Sequence, residues 1–382
     1  MISGFRCYGI KERKNGLGIV VCKGKVAGVF TKNRFRAAPV IVTQEHIADG
    51  EIEGIIVNSG NANAFTGEEG IRNAKRMAEI LAKKLNVPAK RIAVASTGVI
   101  GIQLDINWIE EKIDEVFKNL GSSEEHIMSF ARSIMTTDSF PKIYKVEFER
   151  VEILGVAKGA GMIAPNMATM LAFLFTNANF DSKELREMLK SAVDRSFNVT
   201  VVDGDTSTND TVLLVATGEK EVDRKIFEKK LTEVCVELAK MIAKDGEGAT
   251  KFLEIRVKGA KSEDEAFKAA KTIASSLLVK TAIFGNDPNW GRIVAALGYS
   301  GVEVSDRLDI RFVCMRDGKT IGEVKLVEDG RGLGNEEYAR MLMESSDSLI
   351  IVVDLKVSEC EGYAFGCDLS YDYVRINSEY TT

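Results

Sequence analysis

Two hydrophobic rhythms alternate along the chain. Short apolar runs bounded by turn residues, at 18–21, 26–30, 54–57 and 92–95, predict strands. Between them Ile71, Ala74, Met77, Ala78, Leu81 and Leu85 recur at the spacing that places them on one helix face. Ile109, Ile113, Val116, Phe117 and Leu120 do the same behind Asp105, whose carboxylate suits an N-cap. Asp181 and Glu184 have capping-box spacing and open a helix with Leu185, Met188, Leu189, Ala192 and Val193 inward. Phe227, Leu231, Val234, Cys235, Leu238 and Ile242 mark another helix. A second unit starts near Thr250. It holds a strand at 252–257, a Ser262/Glu265 capping box before a helix, strands at 308–313, 321–327 and 349–357, and a helix from Asn335. This order predicts an α/β chain of layered sheets and helices, with a large domain over 1–250 and a smaller α+β domain over 251–382.

Composition narrows the class. A chain of 382 residues with 45% hydrophobic and 28% charged residues can bury two ordinary cores. The net charge is -5 and the charges are interspersed, which argues against nucleic acid as a partner. Residues 1–14 have no signal-like apolar core, and the runs at 170–175 and 349–353 are too short to span a bilayer. A cytoplasmic protein without membrane contact is expected. The six cysteines are scattered without a CxxC pair, so buried thiols are expected rather than a disulfide or metal site. His46 and His126 are the two histidines, and neither has the surroundings of a triad or a metal ligand. Abundant Lys and Glu against two glutamines hint at a heat-adapted source.

The candidate chemistry concentrates in Lys158-Gly-Ala-Gly-Met-Ile-Ala-Pro-Asn-Met-Ala-Thr169, a bend between two strand-like runs at 151–157 and 170–175. Gly159-Ala-Gly161-Met-Ile-Ala164 fits a dinucleotide-binding pattern, but Pro165 falls where the helix of that fold should run. An unbroken helix after Gly161 would favour that reading. A phosphate loop fails at Val313, which stands where its first glycine is needed before Gly318-Lys319-Thr320. The bend could also be only a turn. The third reading is self-processing. A hydroxyl following a strained peptide can attack the preceding carbonyl, and hydrolysis of the ester frees a new N-terminal threonine. The α-amine of such a residue has an ordinary pKa of about 7.7–8.0, suited to general-base work without histidine.

The same run resembles the self-cleavage motif of the ornithine acetyltransferase (glutamate N-acetyltransferase) family of arginine biosynthesis. The resemblance extends along the chain. It includes Phe30-Thr-Lys-Asn-Arg-Phe-Arg-Ala-Ala-Pro-Val40, Val57-Asn-Ser-Gly-Asn-Ala-Asn-Ala64, Ser96-Thr-Gly-Val-Ile-Gly101 and Ile134-Met-Thr-Thr-Asp138. It continues through Asp245-Gly-Glu-Gly-Ala-Thr250, Gly285-Asn-Asp-Pro-Asn-Trp-Gly-Arg292 and the terminal Ile376-Asn-Ser-Glu-Tyr-Thr-Thr382.

The resemblance implies cleavage between Ala168 and Thr169 and a ping-pong transfer in which Thr169 Oγ carries acetyl from N-acetylornithine to glutamate. It implies that Thr97 and Gly98 form the oxyanion hole, each donor contributing about 3–4 kcal/mol to the transition state. Substrate-contacting positions carried over are Thr136 (with Thr137 as the alternative), Lys158, Thr169, Glu247, Asn377 and Thr382. The last two imply that the C-terminal tail returns to the active site. No metal or organic cofactor is implied. The partners are N-acetylornithine, glutamate, ornithine and N-acetylglutamate, with acetyl-CoA as a second donor left open. The cleaved chains are expected as a heterotetramer of two N-terminal and two C-terminal chains. A self-processing amidase or aminopeptidase using the same threonine is the alternative, since only the acceptor differs. Asp287, Asn289, Trp290 and Arg292 are read as structural.

Overall fold

The computed structural model describes residues 2–163 and 170–379. The chain forms two compact units, one up to Asn198 together with Asp205–Leu238, the other from Val199–Gly204 together with the chain from Ala239.

The first unit contains β1 (Arg6–Glu12), β2 (Asn15–Phe30), α1 (Ala38–His46), β3 (Glu51–Asn61), α2 (Gly67–Leu85), β4 (Ile92–Val99), α3 (Ile106–Lys118) and α4 (Glu124–Ser133). It continues with β5 (Lys142–Phe148), β6 (Val151–Lys158), β7 (Leu171–Ala178) and α5 (Ser182–Asp194). After the two-residue β8 (Thr200–Val201) of the second unit come β9 (Thr211–Lys220) and α6 (Arg224–Lys244), whose first part belongs here. The strands run in the order β4-β3-β2-β9-β7-β6-β5, with β1 also on β2. The two runs at 18–21 and 26–30 are one strand. A break in pairing between Val21 and Gly24 lets β2 change neighbours, from β1 before it to β9 from Lys25 onward. Such an irregularity bends and twists a strand. The sheet therefore folds over, and its two halves face each other across one core.

Side-chain alternation follows this geometry. Val20, Cys22, Ile55, Val57, Ala93 and Ala95 point inward and meet Leu154, Val156, Phe173, Phe175, Leu213 and Val215 from the other half. Leu17, Ile19, Ile56 and Val94 point outward and meet Ala74, Met77, Leu81, Ile109, Ile113 and Val116 of α2 and α3. On β6, Gly155 lies beneath Val234 and Leu238 of α6, where a Cβ would meet both. Both faces of β6 and β7 are thus covered, and every residue of the two strands is buried.

The predicted caps at Asp105 and Asp181 are present, the latter as a full box with Glu184. His126 lies in the first turn of α4 with Nδ1 2.6 Å from Ser123 Oγ, and His46 ends α1 against the Ile92 carbonyl. β6 and β7 are antiparallel neighbours, with Lys158 opposite Leu171. A dinucleotide crossover joins parallel strands through a helix, so that reading is excluded.

The second unit holds β10 (Phe252–Ala260), α7 (Glu263–Ser275), α8 (Leu277–Phe284), α9 (Trp290–Tyr299), β11 (Asp309–Arg316) and β12 (Lys319–Glu328). Then follow β13 (Arg331–Gly332), α10 (Glu336–Glu344), β14 (Ser348–Asp354), β15 (Cys360–Cys367) and α11 (Tyr371–Glu379). Its sheet runs β13-β12-β11-β14-β10-β15-β8. Ser262 caps α7 by accepting from Glu265 N–H, but Glu265 Oε2 has no hydrogen-bond partner among the described residues, so the box is one-sided. Asn289 caps α9, and Trp290 Nε1 donates to Glu336 Oε1 at 2.9 Å, which accounts for that motif structurally. Among the described residues no helix is long and apolar enough to cross a membrane.

Candidate active site

Folding the sheet over brings the end of β4 to the end of β6. Lys158, the last residue of β6, is buried, and its Nζ donates to Thr136 Oγ1 at 2.8 Å and to Thr97 Oγ1 at 3.2 Å. Asp138 anchors the group. Its Oδ1 accepts from Lys142 Nζ at 2.7 Å and from Gly159 N–H at 2.6 Å. Its Oδ2 accepts from Thr136 N–H at 3.0 Å and lies 3.9 Å from Lys158 Nζ. Burial alone would raise the Asp138 pKa, but the Lys158 and Lys142 charges outweigh it and hold the carboxyl well below the ordinary range. Lys158, Thr97 and Thr136, reached separately in the sequence, are therefore one hydrogen-bonded cluster. Because Lys158 donates to both hydroxyls, each threonine oxygen spends a lone pair on the ammonium. Its own hydrogen is left to point elsewhere as a donor.

Gly98 follows Thr97 with φ +135°, and a Cβ there would run into the Gly60 backbone. The β3–β4 pairing becomes irregular at this point, with Asn61 opposite both Thr97 and Val99. A break of this kind takes backbone groups out of the ladder and re-aims them. The turn is fixed from behind. Ser96 Oγ donates to Asn58 Oδ1 at 2.5 Å, and Asn209 Nδ2 donates to the Ser96 and Ala62 carbonyls at 2.9 and 2.6 Å.

The bend after Lys158 carries unusual backbone. Gly159 takes φ +154° and Met162 φ +57°, a left-handed conformation unfavourable for a residue with a side chain. Ala168 and Thr169 lie outside the described residues, as does Thr382. The chain reappears at Met170, whose N–H donates to Asp210 Oδ1 at 3.0 Å. Lys11 adds a further cation. It is an exposed residue, but its Nζ donates to Ser59 Oγ at 2.7 Å and to the Met135 carbonyl at 2.5 Å. Burial of the amine, then repulsion from Lys158, lower its pKa to about 8, against the pull of Asp138.

In the second unit Glu247 and Asn377 meet, Asn377 Nδ2 donating to Glu247 Oε2 at 2.8 Å. Gly246 and Gly248 make this possible. A Cβ on the first would strike Cys367 Sγ, and the second has φ +69° against the Tyr373 backbone at the start of α11. Residues that the sequence reading did not single out are Asp138, Lys142, Lys11, Asn209 and Asp210. The one available signal was Asp138 itself, at the end of a quoted motif with Lys142 four residues on.

The sequence profile of the ArgJ family matches residues 3–382. The arginine biosynthesis bifunctional protein ArgJ of Archaeoglobus fulgidus is 56% identical over 381 residues, 100% of this chain and 99% of that protein. The glutamate N-acetyltransferase of Methanocaldococcus jannaschii is 48% identical over 398 residues, 99% of this chain and 97% of that protein. Among solved structures, the ornithine acetyltransferase of Mycobacterium tuberculosis complexed with ornithine is 34% identical, covering 43% of this chain and 92% of that one, with a TM-score of 0.39.

Proposed function

This chain belongs to the ArgJ family, and from that membership we propose that it is a glutamate N-acetyltransferase of arginine biosynthesis that cuts itself between Ala168 and Thr169. Thr169 Oγ attacks the acetyl carbonyl of N-acetylornithine. The free Thr169 amine takes the hydroxyl proton and passes it to the leaving ornithine nitrogen. Glutamate then attacks the acetyl-threonine, its amine losing a proton by the same route, and leaves as N-acetylglutamate. Thr97 and the Gly98 N–H donate to the oxygen that becomes negative in each tetrahedral intermediate. Lys158 holds a substrate carboxylate and disfavours protonation of the Thr169 amine. Glu247 receives the ornithine side-chain ammonium, with Thr136, Asn377 and Thr382 as further substrate contacts.

The observation that carries this reading is the buried Lys158 ammonium donating to Thr97 and Thr136 at once. It orients two hydroxyls as donors at the strand end that leads into the cleavage bend. The working protein is proposed to be a cytoplasmic heterotetramer of two N-terminal and two C-terminal chains. Residues 1–250 carry the catalytic machinery, and 251–382 end in the tail that completes the site.

The test is incubation with N-acetylornithine alone, followed by mass spectrometry of the fragment that begins at Thr169. Acetyl on residue 169, discharged when glutamate is added, is the expected result. A single uncut chain in an active sample would overturn the mechanism. Release of acetyl to water at the same rate without glutamate would make the protein an amidase. Replacing N-acetylornithine with acetyl-CoA decides whether the thioester is also a donor.

A further inference from the structure

Asp210 grips the peptide unit on the far side of the proposed nucleophile. Its Oδ1 accepts from Met170 N–H, and the neighbouring Thr211 N–H donates to the Met170 carbonyl at 3.2 Å. Met170 N is bonded to the carbonyl carbon of Thr169, so this carboxyl is anchored one residue from the bond to be cut. Asn209 reaches the other way, to the carbonyl of the Ser96–Thr97 peptide. One dipeptide thus ties the strand of the nucleophile to the proposed oxyanion turn.

The other oxygen of Asp210 is not accounted for by this positioning role. The residue is fully buried, yet Oδ2 has no hydrogen-bond partner among the described residues. Thr31, directly after β2, packs beside it but gives its hydroxyl hydrogen to the Ser207 carbonyl at 2.6 Å. The charged group acting on Asp210 is Lys158, and the Thr31 hydroxyl and the Met170 amide beside it carry no charge. Burial pushes the Asp210 carboxyl well above the ordinary range, and the Met170 N–H and the Lys158 charge pull it down without prevailing. An oxygen with no donor facing it is more stable carrying a proton than a charge.

We propose that Asp210 is the proton-holding residue of self-cleavage, giving the proton on Oδ2 to the Thr169 nitrogen as its bond to Ala168 breaks and taking back the proton that Thr169 Oγ loses. The inference rests on the self-cleavage reading above. In the step, the Oγ–carbon bond forms and the carbon–nitrogen bond breaks. The nitrogen gains one proton, Oγ loses one, and Asp210 ends as it began. Water then hydrolyses the ester and leaves a carboxylate on Ala168.

The test uses full-length chain made by cell-free synthesis, with cleavage followed by gel and mass spectrometry. Asp210→Asn keeps an oxygen for the Met170 N–H and should retain the parental hydrogen-exchange protection of that amide, but cleave about 10²-fold or more slowly, the usual scale of a lost acid–base group. Asp210→Glu, which restores an ionisable group, should recover part of the rate. Parental cleavage by Asp210→Asn would overturn the role of Asp210 while leaving self-cleavage intact. If that variant does not fold, Asp210→Glu decides: recovered cleavage supports the role, and a folded glutamate variant that stays uncut overturns it. A parent that stays uncut defeats the self-cleavage reading itself.

Discussion

Replacing Asp138 by asparagine should strongly destabilise its surroundings in the first unit. The side chain has 0% exposure, and Lys142 Nζ, Gly159 N–H and Thr136 N–H donate to it, with Lys158 Nζ 3.9 Å away. An asparagine offers one acceptor oxygen and an amide NH2 in place of two acceptors. Its NH2 would face either Lys142 and Gly159 or Thr136 and Lys158, donor against donor. Both ammonium groups also lose the carboxylate that compensates them. Removing one partner of a buried charge pair costs about 3–5 kcal/mol. Two units unfold, so a single global transition is not the right measure. Hydrogen exchange at the Thr136 and Gly159 amides reads the site directly. Protection there should fall by roughly 10²- to 10³-fold or more, at 1.4 kcal/mol for each factor of ten. The pH dependence has a definite sign. Asp138 is held below its unfolded value of about 3.9, so its contribution is fully present above that pH and is lost as pH falls through the folded value. The difference between parent and variant should therefore be constant from pH 5 to pH 8 and shrink in stronger acid. Protection within threefold of the parent at pH 7 would refute the account of Asp138 as the counter-charge of this cluster.

Thr97→Val should lower turnover roughly 10²- to 10³-fold with little change in N-acetylornithine binding, since the donor acts on charge that develops during reaction; turnover within twofold of the parent would make Thr97 structural. Glu247→Gln should weaken use of N-acetylornithine by about 1.5–3 kcal/mol while leaving self-cleavage unchanged, and equal impairment of both would point to a folding defect instead. Lys11 should titrate near pH 8 in an NMR experiment on its ε-carbon, and Lys158→Met should raise that midpoint by removing a repelling charge; an unmoved midpoint contradicts the coupling. Because the Lys11 pKa is lowered on folding, its charge opposes the folded state below about pH 8, and stability rises with pH from there toward the unfolded value of about 10.4.

The legible part of the fold was the part with strong local periodicity. α2, α3, α5 and α6 each carry an apolar stripe, and Asp105 and Asp181 announce two of the starts. α1 was not legible because Ala-Pro-Val-Ile-Val is β-branched and apolar, without an acidic first turn or a side-chain cap. It is helical because Pro39 presets the first turn and Val40 and Val42 are buried. β15 was hidden by Gly362 and Gly366, which weaken a strand signal but allow close approach, of the α7 backbone at the first and of the Val201 carbonyl of β8 at the second. In the site, Thr97, Thr136 and Lys158 were found through motifs, but their union was not. It depends on the break in β2 that turns one half of the sheet onto the other. Asp210 had no signal at all, since an acid after Ser-Thr-Asn reads as an ordinary turn residue.

The charge balance explains what such a site can do without histidine. Lys158, Lys142 and Lys11 surround Asp138, and the other nearby acid, Asp210, is kept toward its neutral form by burial. The cluster therefore carries more positive than negative charge. Lys142, at 2.7 Å, is the closer counter-ion of Asp138, while Lys158, at 3.9 Å, directs its hydrogen bonds to the two threonines. That surplus favours a carboxylate in the substrate and an oxyanion in the transition state. It also disfavours a proton on any amine placed beside it. A free α-amine has an ordinary pKa of about 7.7–8.0, so any such amine held near the cluster would give up its proton more readily. The lysine cluster would thus prepare both the electrophile and the base, and an imidazole would have nothing left to add.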